Sequence, residues 1–283
     1  MVFPRQLLAS KDLHPKKHMG QNFLVDPSTS EMIVRRAEVR PADVVLEIGP
    51  GLGALTVPLA RAVRRVHAVE KDRDLISLLA QVLEENQIDN VTLDNRNILD
   101  VDLFEIAEKE GSRLLVFGNL PYNISSQVII RLIESRSIVD RAVFMFQKEL
   151  ARRIVAEPGT GDYSRLTVMV KYCARARRLA AIAAHQFYPR PNVDSEIIEI
   201  VFESRPINPA TDERLFSKVV KVAFGRRRKT LKNALSDSEL GISRDVLARL
   251  WNVSGIDPAR RAETLSVPEF VVMANSLRAL LAE

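Results

Sequence analysis

The stretch 44–56 limits what this chain can fold into more than any other feature, and it reads Val-Val-Leu-Glu-Ile-Gly-Pro-Gly-Leu-Gly-Ala-Leu-Thr. Its first residues are mainly apolar and β-branched, which is typical of a strand buried on both faces of a sheet. Gly49, Gly51 and Gly53 then remove three side chains from a tight turn, so that backbone amides can approach a ligand before a helix begins at about Ala54. The pattern predicts a strand, a ligand-binding turn and a helix in direct succession.

The spacing of these glycines distinguishes two kinds of ligand-binding turn. Dinucleotide folds favour Gly-x-Gly-x-x-Gly, whereas this turn is Gly-x-Gly-x-Gly with Glu47 two residues before the first glycine. Glu-x-Gly-x-Gly-x-Gly resembles the first motif of S-adenosylmethionine (SAM) methyltransferases, in which the turn cradles the amino-acid end of SAM. The resemblance implies that SAM is the cofactor. A turn that merely joins a strand to a helix is the alternative.

Length and composition narrow the class of protein. The 283 residues can bury a full core and are enough for one large and one small domain. No run approaches the ~18 apolar residues of a membrane span, and the start of the chain lacks the apolar core of a signal peptide. The single cysteine, Cys173, excludes an internal disulfide and a multi-cysteine metal site. We therefore expect a cytoplasmic protein without a membrane partner.

The second predicted strand, 66–70, ends in an acid, Glu70. Nucleotide-binding α/β folds place a carboxylate at this point because its two oxygens can accept hydrogen bonds from both ribose hydroxyls. Glu70 and the adjacent Lys71 are therefore candidate cofactor-binding residues. A solvated surface glutamate is the alternative.

The third predicted strand, 91–93, is followed by Asp-Asn-Arg-Asn-Ile-Leu at 94–99. SAM methyltransferases of the resembling kind usually have Gly-Asp-Ala-Leu at 96–99, with the Asp near the adenine amino group of SAM. Asn97 stands at that position here, and its side-chain oxygen can still accept the hydrogen bond without a charge. The resemblance implies that Asn97 and Ile98 contact the adenine end of SAM, with a somewhat lower affinity than an Asp would give.

Residues 1–25 are predicted to form a flexible basic segment, in which Lys16 and Lys17 are candidate contacts to RNA. A solvated tail is the alternative. The end of the segment, Gly-Gln-Asn-Phe-Leu at 20–24, resembles a stretch that folds over SAM in RNA adenine methyltransferases. The cofactor contacts that this implies are Gln21, Asn22 and Leu24.

Four more predicted strands continue the alternation with helical stretches, and they cover 113–117, 141–146, 166–172 and 195–202. Seven strands with intervening helices predict an α/β fold, a doubly wound seven-stranded sheet of the SAM-methyltransferase (Rossmann-like) type. Asp26 and Pro27 supply the N-cap and the first residue of a helix ahead of the sheet. The SAM-dependent methyltransferase domain is expected to span 26–204.

Pro206 and Pro209 mark a linker, beyond which the sequence becomes helical. The predicted helices cover 212–224 behind Thr211, 244–251 behind Ser243, and 268–281. Ser266 and Glu269 form a capping box ahead of the last helix. Residues 205–283 are therefore expected to form a small C-terminal α-helical domain.

The fourth predicted strand runs into Asn119-Leu120-Pro121-Tyr122, which resembles the (Asp/Asn)-Pro-Pro-(Tyr/Phe) group of exocyclic-amine methyltransferases. The N6 lone pair of adenine is delocalised into the ring and is a poor nucleophile. If the Asn119 side-chain oxygen and the Leu120 carbonyl accept the two N6 hydrogens, the nitrogen can become pyramidal and aim its lone pair at the SAM methyl group. Pro121 fixes the turn, and Tyr122 offers a face on which the base can stack. Neither a strong base nor a metal ion is required, and an ordinary turn is the alternative.

A second aromatic group comes from the stretch 187–195, Phe-Tyr-Pro-Arg-Pro-Asn-Val-Asp-Ser, which its prolines hold extended. Phe187 at its head can sandwich a flipped base against Tyr122. The stretch matches Phe-x-Pro-x-Pro-x-Val-x-Ser of the same enzymes, and a core phenylalanine is the alternative.

The stretch 221–233, called here the basic segment, carries cations and no acid. Its cations are Lys221, Arg226, Arg227, Arg228, Lys229 and Lys232. Such a density usually marks a solvated surface. In a domain appended to a base-modifying enzyme we expect it to bind RNA phosphates.

Together these motifs cover about residues 15 to 283 in order, and they resemble the ribosomal RNA adenine N6,N6-dimethyltransferases, most closely those of the small subunit. The resemblance implies SAM-dependent dimethylation of two adjacent adenines near the 3′ end of 16S rRNA. It also implies that the substrate is an assembling small subunit, a pre-30S particle, and that the protein has a second role as an assembly checkpoint. We expect a monomer.

Three other interpretations remain. Large-subunit rRNA adenine N6-methyltransferases of the antibiotic-resistance type are the nearest, although the basic helical domain and the full Phe187 stretch favour the small-subunit class. A DNA adenine methyltransferase would carry Asp-Pro-Pro-Tyr. A non-catalytic rRNA-binding assembly factor could keep the fold. Intact Glu70, Asn119 and Tyr122 argue against lost chemistry, whereas Asn97 is compatible with it.

Overall fold

The structure is a computed structural model that describes residues 4–226, 228–236 and 238–282, and for Tyr122 and Asn123 it describes the backbone alone. The strands in these residues are β1 Phe23–Leu24, β2 Val44–Ile48, β3 Arg65–Val69, β4 Val91–Asp94, β5 Leu114–Asn119, β6 Val139–Gln147, β7 Ala174–Ile182, β8 Phe187–Tyr188 and β9 Ser195–Phe202.

Seven of these strands form one sheet in the order β4-β3-β2-β5-β6-β9-β7. The strands from β2 to β6 run parallel to their neighbours, and β9 runs antiparallel to β6. The strand order reverses at β2, because β3 and β5 lie on its two sides. In such sheets a crevice opens at the carboxyl ends of the strands where the order reverses, and ligands bind there. The predicted α/β, doubly wound fold with seven strands is confirmed.

Strand β2 lies at the centre of the core, and every one of its residues is buried. Strand β5 approaches it so closely that a Cβ atom at Gly118 would lie 2.8 Å from the carbonyl oxygen of Ile48. Only glycine allows that approach without displacing the backbone. The two strands that frame the crevice are therefore held together where it opens.

The helices in the described residues are α1 Pro4–Ala9, α2 Pro27–Arg36, α3 Thr56–Ala62, α4 Arg73–Glu85, α5 Leu103–Glu110, α6 Tyr122–Glu134, α7 Lys148–Val155, α8 Arg165–Cys173, α9 Glu213–Gly225, α10 Leu231–Ser236, α11 Arg244–Ser254 and α12 Val267–Leu281. Short 3-10 turns cover Lys17–Met19, Ile98–Asp100, Ala184–Gln186 and Ala262–Thr264. None of these helices is both long and apolar enough to cross a membrane.

The predicted caps are present at several helix starts. Asp26 accepts a hydrogen bond from the Ser28 amide, with Pro27 as the first helical residue. Ser266 and Glu269 form the capping box of α12. Two helix starts differ from the prediction: α3 begins at Thr56 rather than at about Ala54, and α9 is capped by Asp212, not by Thr211.

The expected strand at 166–172 is wrong, because these residues lie in helix α8. Its sequence, Leu-Thr-Val-Met-Val-Lys-Tyr, is a short apolar run, and such a run fits a buried strand as well as a helix buried on most sides. A capping box formed by Ser164 and Thr167 starts the helix. The seventh strand is β7, which the prediction missed because arginines make its sequence, Ala-Arg-Ala-Arg-Arg-Leu-Ala-Ala-Ile, look like a solvated surface.

The chain divides into two compact units. The first contains the residues up to Ala151 together with Ala176–Glu203, and the second contains Arg152–Arg175 together with the residues from Ser204 onward. The second unit thus includes α8, which the expected limits of 26–204 assigned to the methyltransferase domain. Within this unit the ring of Tyr172 on α8 stacks on Phe216 of α9, with 4.3 Å between the ring centres.

Candidate functional site: a cavity at the carboxyl ends of the parallel strands

A cavity of about 340 Å³ lies at the carboxyl ends of β2, β3 and β5 in the first unit. This volume is within the range of small-molecule binding sites. Among the residues that line it are all but one of the predicted cofactor contacts, namely Gln21, Asn22, Leu24, Glu47, Gly49, Gly51, Glu70, Lys71, Asn97, Ile98 and Asn119. The remaining position of the glycine turn, Gly53, lies just beyond the lining, next to Ala54 and Leu55. The fold therefore brings together residues that the sequence distributes over about a hundred positions.

The glycine turn after β2 needs its glycines for two reasons. Gly49, Gly51 and Gly53 have φ angles of +69°, +57° and +85°, which side chains rarely adopt. A Cβ atom at Gly51 would also lie 3.1 Å from the ring of Phe23, and one at Gly53 would lie 2.8 Å from a methyl carbon of Leu79. The turn thus presents bare backbone to the cavity.

Glu47 points from β2 into this region, and it is only 1% exposed. Burial raises the pKa of its carboxyl group to about 8, the nearby Thr56 hydroxyl opposes this rise, and the charge of Glu70 adds to it. One carboxyl oxygen, Oε2, has no hydrogen-bond partner among the residues the structure describes. A buried acceptor without a partner at a ligand cavity favours a cationic donor from the ligand. The α-ammonium group of SAM is such a donor, so this position fits the cofactor.

Glu70 lies at the end of β3, and backbone amides hold its carboxylate. The Asp72 amide donates to Oε1 at 2.9 Å, and the Gly51 amide donates to Oε2 at 3.3 Å. Burial raises the pKa of Glu70, and these two hydrogen bonds oppose the rise. Each carboxylate oxygen keeps a second lone pair for a ligand. This geometry suits a pair of ribose hydroxyls.

Asn97 begins the turn that follows β4. Its side-chain oxygen accepts a hydrogen bond of 3.2 Å from the Leu99 amide, and Ile98 beside it is buried. Arg131 on α6 donates to the backbone carbonyls of Leu99 and Val101. The arginine therefore ties the turn that follows β4 to helix α6, which begins at Tyr122, the last residue of the Asn119 motif. No motif predicted this role of Arg131, because a lone arginine on an amphipathic helix looks like a solvated residue.

Asn119 ends strand β5 between the cavity and a smaller cleft. Its Nδ2 donates to the Asn22 carbonyl oxygen at 2.7 Å. Because the nitrogen must face that carbonyl, the orientation of the amide is fixed and Oδ1 remains available as an acceptor. Leu120 is buried, and Pro121 lies against Gly20, where an added Cβ atom would be 3.2 Å away. The side chain of Tyr122, the other expected member of this group, lies outside the described part.

A family model described as ribosomal RNA adenine dimethylase matches residues 13–279 of the chain. The chain belongs to the ribosomal RNA adenine dimethylase family. A protein of Desulforapulum autotrophicum named ribosomal RNA small subunit methyltransferase A is 48% identical, over 98% of this chain and 97% of its own length. A protein of Bacillus cytotoxicus with the same name is 38% identical, over 93% of this chain and 91% of its own length.

Solved structures agree with this assignment. A dimethyladenosine transferase from Plasmodium falciparum has a TM-score of 0.73 at 25% identity, over 89% of this chain and 95% of its own. The 23S rRNA methyltransferase ErmE has a TM-score of 0.66 at 25% identity, over 90% of this chain and 99% of its own. The chain is therefore a SAM-dependent methyltransferase of the rRNA adenine dimethylase family.

The N-terminal segment of this dimethylase chain contacts the start of helix α4, and its expected flexibility remains a prediction. Lys16 donates to Asp72 at 2.7 Å and to Asp74 at 2.8 Å. Gln21 accepts from the Lys16 amide at 2.8 Å and donates to the other Asp72 oxygen at 2.7 Å. The charge of Lys16 thus already has two intramolecular partners. Its expected RNA contact remains a prediction, and so does that of Lys17, which is exposed.

Asp72 connects several candidate site residues, and no sequence motif predicted it. It is 3% exposed, and although burial opposes this, hydrogen bonds from Lys16 and Gln21 hold the pKa of its carboxyl group below the ordinary value. It also caps α4, and its amide holds Glu70. The available signal was its place two residues after Glu70, at the start of a helix. Asp72 joins the N-terminal segment to the acid that is expected to bind ribose.

Phe187 lies in strand β8, which pairs with β1 so that Leu24 faces Phe187 and Phe23 faces Tyr188. It is 4% exposed and packs in the main core cluster. It also lines the small cleft that contains Asn119. The structure thus places the ring beside the expected methyl-acceptor site and in the core at once, and its stacking role remains a prediction.

The basic segment belongs to the second unit, and Arg227 within it lies outside the described residues. Arg226, Arg228, Lys229 and Lys232 are exposed. Lys221 is also exposed, and it forms an ion pair of 2.6 Å with Glu239. The segment contains the end of α9, a connection, and the start of α10. Its contact with RNA remains a prediction.

Proposed function

We propose that this protein uses SAM to dimethylate the N6 amines of two adjacent adenines near the 3′ end of 16S rRNA. The observation that carries the proposal is the fixed amide of Asn119 at the end of a SAM-type cavity. The high identity to proteins named ribosomal RNA small subunit methyltransferase A supports the choice of subunit. The proposal includes a pre-30S particle as substrate, a monomeric enzyme and a cytoplasmic location.

The residues of the cavity would hold SAM along its length. Glu47 would take the ammonium group, Glu70 the ribose hydroxyls, and Asn97 with Ile98 the adenine. Bound SAM supplies an electrophilic methyl group on a positively charged sulfur. The bare backbone of the glycine turn allows the ligand to approach closely, and Gln21 and Asn22 lie over the cavity on the N-terminal side.

The Asn119 motif would act on the target base. Its Oδ1, together with the Leu120 carbonyl, would accept the two N6 hydrogens and direct the nitrogen lone pair toward the cavity. Positioning of this kind can supply much of the rate enhancement, since the reaction needs alignment and little proton transfer. Pro121 limits the motion of the turn because its ring fixes φ. Tyr122 and Phe187 would hold the flipped base between them.

A direct assay tests this proposal. The purified protein is incubated with methyl-labelled SAM and with small subunits that lack the modification, and labelled nucleosides are identified by mass spectrometry after digestion. Large subunits, naked rRNA and DNA are run in parallel. Dimethyladenosine from the small-subunit sample alone is the expected result.

Two other outcomes would replace the proposal. Label in large-subunit RNA would assign the protein to the activity named for ErmE, whose fold it shares. Binding to small subunits with no label in any sample would make the protein a non-catalytic assembly factor. Sedimentation of the purified protein alone tests whether it is a monomer, and sedimentation with small subunits tests whether it binds the particle.

A further inference from the structure

The small cleft beside Asn119 contains a polar side chain that the motifs do not explain. This is Gln147, the last residue of β6, which lines the cleft together with Asn119, Leu120 and Phe187. Asn119 on β5 is in register with Met145 on β6. Residues two apart on a strand face the same side, so Gln147 lies on the same face of the sheet as Asn119, on the neighbouring strand and two residues further toward its carboxyl end.

Gln147 is half-buried, and its side-chain amide makes no hydrogen bond to any residue that the structure describes. Its backbone is held, because it pairs with Ser195 on β9. A half-buried amide with no protein partner is costly unless water or a ligand completes its hydrogen bonds. The cleft holds only about 10 Å³, enough for a group the size of water or an amine but not for a whole base. Only the amine edge of a base can therefore reach it.

Dimethylation requires the base to be oriented for two transfers, and the Asn119 motif alone holds it by two hydrogen bonds only in the first. Before the first transfer, N6 carries two hydrogens for Asn119 and the Leu120 carbonyl. After it, N6 carries one hydrogen, and one of these two contacts is lost. A planar base needs two in-plane contacts to fix its orientation, so the second transfer requires a contact that does not use an N6 hydrogen. The ring nitrogens that flank N6 keep their lone pairs throughout.

We propose that Gln147 determines the extent of methylation by donating a hydrogen bond from its side-chain amide to a ring nitrogen flanking N6. This inference rests on the proposed adenine substrate. In each transfer the N6 lone pair forms the new N–C bond, the C–S bond breaks, sulfur keeps its electron pair, and the nitrogen then releases one proton to solvent water. The Gln147 contact is the same in both transfers, and it becomes necessary in the second.

The test measures both transfers separately under single-turnover conditions, with small subunits that lack the modification. Monomethyladenosine and dimethyladenosine are quantified over time by mass spectrometry for the wild type and for Gln147→Glu, Gln147→Met and Gln147→His. Glu has nearly the same shape without the donor, Met has no donor and no charge, and His keeps an N–H donor. Gln81→Glu makes the same chemical change at an exposed position on α4 and serves as the control.

We expect Gln147→Glu and Gln147→Met to lower the ratio of the second rate to the first by roughly tenfold, the effect of one lost hydrogen bond, so that monomethyladenosine accumulates. Gln147→His is expected to restore part of the ratio. SAM affinity, measured by calorimetry, should be unchanged in every variant, which also reports that the variants are folded.

An unchanged ratio in both Glu and Met variants would overturn the inference, and so would an equal loss in both transfers, which would make Gln147 a general packing residue. These outcomes are distinct from failure of the proposed function. In that case the wild type itself would form no methylated adenosine in small-subunit RNA.

Discussion

The cavity at the carboxyl ends of the parallel strands and the basic segment differ in burial and in how their charges are held. In the cavity, Glu47 and Glu70 are nearly inaccessible to solvent, and backbone amides fix the Glu70 carboxylate at 2.9 and 3.3 Å. In the basic segment, Arg228 and Lys229 are exposed, and their charge acts over about a Debye length in salt solution. Small displacements therefore matter in the cavity, whereas net charge matters in the segment. Substitutions in the two regions should differ in size and in salt dependence.

The largest effect is expected for Asn119→Ala. This substitution removes the acceptor for an N6 hydrogen and also the 2.7 Å hydrogen bond to the Asn22 carbonyl. We expect methyl transfer to fall by about 100-fold or more, because misplacement of the reacting groups by about 1 Å has that effect. Single-turnover transfer to small subunits measures the rate. Binding to small subunits should change by less than a factor of two at any salt concentration.

Asn119→Asp provides a matched control, since it keeps an acceptor but loses the donor to the Asn22 carbonyl. Its rate should lie between those of the wild type and Asn119→Ala. If Asn119→Ala lost affinity for small subunits in proportion to its loss of methyl transfer, the two regions would not differ as proposed. A residue of the cavity would then contribute to RNA binding.

A smaller, salt-dependent effect is expected for the double charge reversal Arg228→Glu with Lys229→Glu. Each phosphate contact on duplex RNA or DNA contributes close to one unit to the slope of log affinity against log salt concentration. Loss of two contacts should weaken particle binding by about tenfold at physiological salt and reduce the slope by between one and two units. Filter binding over a salt titration measures both, and SAM affinity should be unchanged.

The control for this variant is Lys109→Glu, which reverses an exposed charge on α5 in the first unit. It should leave the slope unaltered. If the double reversal bound small subunits with wild-type affinity at every salt concentration, the segment would be only a solvated surface. The two regions would then not differ in salt dependence.

Parts of the fold and of the candidate site could be predicted from the sequence, and they share a dependence on local pattern. The glycine turn and Glu70 were predictable, because left-handed φ angles and a carboxylate at a strand end follow from residue type and spacing. The same holds for strand β2 and for the N-cap at Asp26, which depend on neighbouring residues alone. Features that depend only on residue type and short-range spacing could therefore be predicted from the sequence alone.

Contacts between residues far apart in the sequence could not be predicted in this way. The ion pairs of Lys16 with Asp72 and Asp74 span more than fifty positions, and nothing local distinguishes Lys16 from the other cations of its segment. Strand β7 was missed for a related reason. Its exposed Arg177 and Arg178 pair with Glu199 and Glu196, which are buried on β9, and this compensation becomes visible only when the strands are neighbours.

Helix α8 shows a third limit. Its apolar run suited a strand as well as a helix, and tertiary packing decided the outcome, because residues around most of the helix are buried. The Ser164 and Thr167 capping box was the local signal that could have identified it. Gln147 is similar, since its position beside Asn119 follows from strand register and not from any motif.

The smallest effect, and the most specific to the cavity, concerns Glu47 and pH. Burial raises the pKa of its carboxyl group to about 8, so the free protein carries a proton there at neutral pH. A ligand ammonium group beside the carboxylate favours the ionised form and lowers this pKa in the complex. The complex then binds fewer protons than the free protein below pH 8, and by linkage SAM affinity must rise with pH in that range. An α-amino group has an ordinary pKa of about 8 itself, so the range from pH 6 to pH 7 isolates the carboxyl group.

We expect SAM to bind a few-fold more tightly at pH 7 than at pH 6, with release of a fraction of a proton. Calorimetry in two buffers of different ionisation enthalpy measures both quantities. Glu47→Gln resembles the protonated form, so its affinity should be flat over this range and its proton release absent, while binding to small subunits stays at the wild-type value. A wild-type affinity independent of pH would mean that Glu47 does not face the ammonium group. The buried carboxyl would then serve the glycine turn alone, and the cavity would depend on backbone geometry more than on charge.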